Sequence, residues 1–105
     1  MDKIAMLSEI LTQNPKDAFA RYGLAMEYAG RGATDEALAE FDRLLQEHPD
    51  YTAGYFMAAQ TLAKAGRNGE AKGRLTDGIA SARRTGNGHA QSEMQAMLDE
   101  LELAD

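Results

Sequence analysis

Cysteine is absent from this chain, histidine occurs twice and proline twice. Without cysteine there is no disulfide framework, no thiolate metal site and no cysteine nucleophile, and two histidines leave little for a zinc site. Basic charge is scarce too. Eleven Lys and Arg stand against 17 Asp and Glu, for a formal net charge of -6 and a pI near 4.8, a balance that repels phosphate backbones and argues against a nucleic-acid partner. No apolar run approaches the roughly 18 residues that a membrane span needs, so no membrane partner is expected. The first residues set Asp2 and Glu9 around a broken apolar pattern. They lack the basic start and continuous apolar core of a secretory signal, and a cytoplasmic location is expected. What is present is ordinary for a globular protein: 105 residues, 44% apolar and 27% charged. That suffices for one domain that buries roughly two thirds of its unfolded surface.

The pattern along the chain has a period of 34 residues. A shift by that amount sets Pro15 on Pro49, Gly32 on Gly66, Glu36 on Glu70, Ala37 on Ala71, Phe41 on Leu75 and Leu45 on Ile79. The same step backwards places Leu7, Ile10 and Leu11 under Phe41, Leu44 and Leu45. Residues 1–14 therefore read as the second half of a truncated repeat, followed by repeats over 15–48 and 49–83 and a terminal helix in 87–105.

Each repeat reads as two helices. Apolar residues recur at spacings of three and four over 17–30 and 51–65, and Gly30-Arg31-Gly32 and Gly66-Arg67-Asn68 then interrupt them. Second helices are predicted over about 34–47 and 69–83, with Thr34 and Asn68 as N-caps and Asp35, Glu36 and Glu70 at the positive end of the helix dipole. Pro15 and Pro49 sit where the chain leaves the helical path. Beyond Thr85-Gly86-Asn87-Gly88, a helix over about 89–103 aligns Met94, Met97, Leu98 and Leu101 on one face, which predicts that it covers the fourth and fifth helices. Residues 64–84 carry Lys64, Arg67, Lys72, Arg74, Arg83 and Arg84 against Glu70 and Asp77, while residues 85–105 carry acids and no Lys or Arg. Helices five and six are expected to attract each other, unless both charged faces are simply solvated. No strand is indicated.

The residues Leu24-Ala25-x-x-Tyr28, Ala37-x-x-x-Phe41 and Pro49 resemble the tetratricopeptide repeat, whose signature runs W-x-x-L-G-x-x-Y, A-x-x-x-F, P. Arg21 stands at the Trp position and Ala25 at the Gly position. In the second repeat Tyr55, Ala58, Ala59, Leu62, Ala71 and Leu75 keep the character of the pattern, and Arg83 replaces the closing Pro, which allows a longer fifth helix and a different exit for the sixth. The resemblance covers residues 1–83. It implies an all-α fold of antiparallel helix-turn-helix repeats, stacked as a short right-handed solenoid of about six helices. Ala25, Ala37, Ala58, Ala59 and Ala71 are then the small positions that let Tyr28, Phe41, Leu62 and Leu75 interlock.

The second helix is apolar on two sides. Leu24, Ala25 and Tyr28 form one stripe, and Phe19, Tyr22, Met26 and Ala29 form another about 130° around. By resemblance the second stripe faces the concave groove in which such domains hold peptides. The fourth helix repeats it with Ala53, Phe56, Met57, Gln60 and Lys64, so the expected groove is aromatic and Met-rich with a polar far edge, lined by Phe19, Tyr22, Met26, Phe56, Met57, Gln60 and Lys64. Its expected occupant is an apolar or amphipathic segment of another protein, unless the chain's own termini cover these side chains. Some family members clamp an acidic C-terminal chaperone tail with Lys and Asn. Tyr22 and Met26, then Phe56 and Gln60, occupy those positions here, so no such clamp is expected.

No other pattern supplies chemistry. His89 and Glu93, four residues apart, fall short of a metal site without a third ligand. His48 beside Pro49 reads as a favourable charge at a helix C-terminus. The glycine-rich stretch 66–73 follows a helix rather than a strand and lacks the G-K-[ST] of a phosphate loop. Asp35-Glu36 and Asp99-Glu100 read as solvated helix positions. The chain is therefore expected to be a non-enzymatic interaction module without cofactor or metal. The alternative is a self-associating module, a homodimer joined through Ile4, Leu7 and Leu11 of helix one.

Overall fold

A computed structural model of the protein describes residues 2–104. Six helices account for nearly all of them: α1 (Lys3–Gln13), α2 (Ala18–Gly30), α3 (Thr34–Glu47), α4 (Thr52–Lys64), α5 (Asn68–Arg84) and α6 (Gly88–Ala104). The 34-residue period appears directly in these bounds. Helices α2 and α4 begin and end 34 residues apart and are both 13 residues long, and α3 and α5 begin 34 residues apart. Helix α5 runs to 17 residues against 14 for α3, the lengthening that the missing proline allows.

Two kinds of connection alternate along the first five helices. After α2, α4 and α5 the chain turns through a glycine with positive φ: Gly32 at 76°, Gly66 at 79° and Gly86 at 70°. Only glycine enters that conformation without penalty. In each turn the residue after the glycine donates back to the carbonyl five positions earlier, Ala33 to Tyr28, Arg67 to Leu62 and Asn87 to Ala82, which satisfies the last carbonyls of the helix. After α1 and α3 the link is a proline turn, and α6 is therefore joined to α5 by the tight glycine form.

This turn geometry corrects the predicted caps. One residue separates the glycine from the next helix, so Ala33 and Arg67 occupy the cap positions without a side-chain bond, and Thr34 and Asn68 are already helical. The side chains that do cap are Asp2, Asp17 and Asn87, which accept from the amides of Ala5, Ala20 and Ala90.

Neighbours in sequence pack as neighbours in space from α1 to α6. In addition α2 touches α4 and α4 touches α6, while the backbones of α1, α3 and α5 stay apart. The helices form an inner row and an outer row, and the 18 Å thickness of the 42 × 29 × 18 Å molecule fits two helix layers. Ala25, Ala37, Ala58, Ala59 and Ala71 are all fully buried, as the repeat pattern requires. Met94 is buried in the cluster of α3, α4 and α5, with Met97, Leu98 and Leu101 packed against it, so α6 covers the surface expected of it.

Two sequence expectations change. Ile4, Leu7 and Leu11 do not form an open face but pack on Ala20 and Leu24 of α2, because they are the register partners of side chains that face the following helix. Three of the basic residues expected to meet α6 have partners elsewhere: Arg74 of α5 with Asp42 of α3, Arg84 of α5 with Asp50 in the α3–α4 link at 2.8 Å, and Arg67, just before α5, with Glu70 at 2.6 Å. Segment charge counts do not register that helix α5 has an acidic neighbour on both sides.

At the Trp position of the repeat signature, Arg21 is buried. Its guanidinium donates to Glu40 at 2.9 Å and to the Pro15 carbonyl at 3.0 Å, and lies 3.7 Å from Glu47. It ties the α1–α2 link to α3.

Candidate functional site

Between the C-terminal halves of α2 and α4 lies an open hollow of 490 Å³, walled by Met26, Ala29 and Gly30 from α2 and by Met57, Gln60, Thr61 and Lys64 from α4, and floored towards the turn by Gly32 and Thr34. The two inner helices are adjacent, and Met26 stands three residues beyond Gly23, the register partner of Met57, so one methionine from each lines the same wall. Thr61 turns its hydroxyl back onto the Met57 carbonyl at 2.8 Å, so its methyl group is what it offers the hollow. Lys64 is the charged residue of this wall, and no acidic side chain lines it.

Four of the seven anticipated residues, Met26, Met57, Gln60 and Lys64, come together here. The three aromatic ones do not. Tyr22 is half-buried, edge-on to Phe41 with ring centroids 6.4 Å apart and tilted against Tyr51 at 5.2 Å. Burial raises the Tyr22 hydroxyl pKa, and neighbouring Tyr51 adds to the shift. Tyr51 is raised as well, chiefly by burial and then by the negative charge of Asp17. Phe56 leans into the core cluster that α4 shares with α5 and α6. Phe19 stays 78% exposed at the start of α2, outside the hollow. The hollow is thus lined by methionine and small residues rather than by aromatics. Helical spacing places a side chain on a side of its helix; whether a ring there finds a neighbour depends on Phe41 and Tyr51, which lie far away in sequence. Ala29 belonged to the apolar stripe that the sequence shows, whereas Gly30, Gly32 and Thr34 enter only through the fold of the turn.

His89 and Glu93 do approach, at 3.2 Å, and no group of three or more metal-ligating side chains exists among the described residues. No helix among them is long and apolar enough to cross a membrane.

Comparison with known proteins agrees with this architecture. The family model described as tetratricopeptide repeat matches residues 28–98. A TPR repeat-containing protein of Pseudomonas aeruginosa is 28% identical over 98 residues, 93% of each chain. A tetratricopeptide repeat domain protein from Salinibacter ruber, solved by NMR, is 30% identical with a TM-score of 0.82, over 88% of this chain and 93% of that one. The TPR2B domain of yeast Sti1, at 17% identity, shares the fold with a TM-score of 0.89 over 97% of this chain and 82% of its own. The chain belongs to the tetratricopeptide repeat family. Such repeats are generally protein–protein interaction modules and typically non-catalytic.

Proposed function

We propose that this protein is a non-enzymatic, cytoplasmic adaptor that holds an apolar or amphipathic segment of another protein in the hollow between α2 and α4. The observation that carries the reading is the composition of that wall: Met26 and Met57 on facing elements, small residues between them, and Lys64 with Gln60 at one edge. Thioethers adapt their shape to an inserted side chain, and a cation without an acidic neighbour on the wall suits an acidic group beside it. A lysine as the titratable group of the wall offers no acid–base pair, in keeping with binding rather than chemistry. The yeast domain that shares the fold is described in a complex with pHsp70. Tyr22 and Phe56 take the place of a carboxylate clamp here, so a chaperone tail is not the expected ligand. The acidic surface disfavours nucleic acid.

The test starts from peptides selected on the full chain from a displayed library, followed by titration with the best of them. Binding should shift the methyl resonances of Met26 and Met57 and leave that of buried Met94 in place. Met26→Ser and Lys64→Glu should each weaken binding about tenfold, the value of roughly 1.4 kcal/mol, with helicity unchanged. Peptides that bind both variants as tightly as the parent would refute the groove.

A further inference from the structure

This chain has six methionines and no cysteine, so its thioethers are the sulfur on which an oxidant can act. The fold protects them unequally. Met94 is fully buried, its sulfur lying over Gly78 beside Tyr55, and Met97 is half-buried against the same cluster. Met6 stands 48% exposed on α1. Met26 and Met57 rest, half-buried, on the cluster of Ala25, Ala37, Phe41 and Ala58, yet both line the open hollow between α2 and α4. Their apolar neighbours in that wall are Ala29, Gly30, Gly32 and Ala65, too small to roof a thioether over. Neighbours small enough to admit a partner's side chain admit a small oxidant as well. The polar groups of the α4 wall are few. Thr61 is bonded to the Met57 carbonyl at 2.8 Å, which leaves the Gln60 amide and the Lys64 ammonium as donors. Met57, Gln60 and Lys64 follow at spacings of three and four and so share one side of α4.

We propose that Met26 and Met57 form a modification site, at which a peroxide converts the thioethers to sulfoxides and so releases the segment held in the hollow. The inference rests on reading the hollow as a binding groove. In the reaction a lone pair of the thioether sulfur attacks one oxygen of hydrogen peroxide. The S–O bond forms as the O–O bond breaks, and the departing hydroxide takes the proton from the transferred oxygen and leaves as water. Sulfur is oxidised by two electrons and the peroxide is reduced by two. A flexible apolar side chain has become a polar one. Its new oxygen accepts hydrogen bonds and donates none, so a partner's apolar side chain pressed against it would bury an unsatisfied dipole. Where Lys64 or Gln60 turns to that oxygen instead, the donor is withdrawn from the acidic group that it would otherwise meet on the partner. Both routes weaken binding. The fold itself is spared, because these two thioethers lie on the outside of their cluster, whereas Met94 in the core is shielded from the oxidant.

The test treats the folded full chain with hydrogen peroxide, removes the oxidant and locates the added oxygen on each methionine by mass spectrometry. Met26 and Met57 should oxidise at rates closer to that of exposed Met6 than to that of Met94, and Met94 roughly tenfold more slowly than Met6, with helicity unchanged. A methionine-free peptide selected on the reduced chain is then titrated against both forms. It should bind the oxidised chain about tenfold more weakly and regain its affinity after reduction by methionine sulfoxide reductases. Met6→Leu, outside the hollow, should leave that loss in place. Met26→Leu combined with Met57→Leu, whatever its own affinity, should bind alike before and after peroxide. If Met26 and Met57 oxidise as slowly as Met94, or if the oxidised chain binds as tightly as the reduced one, the switch is overturned and the groove stands. A loss on oxidation that persists in the double variant overturns it too, by assigning the effect to another methionine. A reduced chain whose selected peptides leave the Met26 and Met57 methyl resonances in place refutes the groove, and the switch falls with it.

Discussion

Residues 15–48 and 49–83 place their helices in the same register, yet the side chains that hold the two units closed are of opposite character. In the first, buried Arg21 joins the Pro15 carbonyl and half-buried Glu40 and Glu47 in an ionic cluster. In the second, Tyr55 occupies the same register position and donates to the Pro49 carbonyl at 2.7 Å. Glu40 becomes Arg74, which turns outward to Asp42. Glu47 becomes Ser81, fully buried, which bonds Thr52 at 2.8 Å. Both units thus fasten a proline turn to the helix that follows it, one with charges and one with hydroxyls. The position requires a long side chain with an apolar body and a donor at its tip, and tryptophan, arginine and tyrosine all qualify.

Packing between units reverses in the same way. Large Leu44 of α3 meets Gly54 of α4, where an added methyl would stand 3.0 Å from the leucine. In α5 the register partner of Leu44 is Gly78, and the large side chain comes from the opposite helix as Met94. The contact keeps its volume and exchanges its sides.

Removing the charged fastener should have the largest effect. Arg21→Ala removes a buried side chain, its bond to the Pro15 carbonyl and the counter-ion of half-buried Glu40, while Glu47 keeps Arg43 at 3.8 Å, and should cost about 2–3 kcal/mol in urea unfolding. Tyr55→Phe, the matching change in the second unit, loses one hydrogen bond and should cost about 1 kcal/mol. Equal costs would show that the two fasteners do not differ in kind.

The next effect tests the exchange of volume. A methyl group on Gly78 would lie 2.5 Å from Met94 Sδ and 2.6 Å from Tyr55 Cβ. The sulfur can move, the Cβ cannot, and Gly78→Ala should destabilise by about 1–3 kcal/mol despite its better helix propensity. Gly73, on the same helix, has nothing within 4 Å. Gly73→Ala should therefore gain about 0.5–1 kcal/mol. Thermal melts of the two variants should move in opposite directions.

The smallest effect is one of pH. Burial raises the Tyr55 hydroxyl above its ordinary value, with smaller contributions from the charges around it, and Tyr22 and Tyr51 are raised likewise. In the unfolded chain these groups ionise near pH 10. Their contribution to stability is whole below that pH and is lost as the pH climbs through their higher folded values. Alkaline unfolding should begin above about pH 10, and Tyr55→Phe should make the fall of stability with pH less steep in this window.

Much of this was legible from the period alone. Pro15 with Pro49 and Gly32 with Gly66 mark the links, and the buried alanines mark the crossings, because each is a local demand that one residue type meets. The caps were not, since Thr34 and Asn68 have suitable side chains but the glycine turn ends one residue too early for them. Of the residues anticipated there, Met26, Met57, Gln60 and Lys64 line the hollow between α2 and α4 where helical spacing sets them, whereas Tyr22 and Phe56 turn aside towards rings and helices that only the tertiary fold supplies.

The order of packing, each helix against the next and otherwise only against the one after that, bears on how the chain reaches this state. Every contact closes a short loop, and the entropy of loop closure rises with loop length. Chains rich in such local contacts fold within microseconds to milliseconds, and in a stacked array folding can nucleate at any adjacent pair and spread. Here the two fasteners differ in how they can join that process. Hydroxyl bonds form without burying a charge, whereas the cluster at Pro15 must desolvate the Arg21 guanidinium and needs Glu40 and Glu47 of α3 beside it.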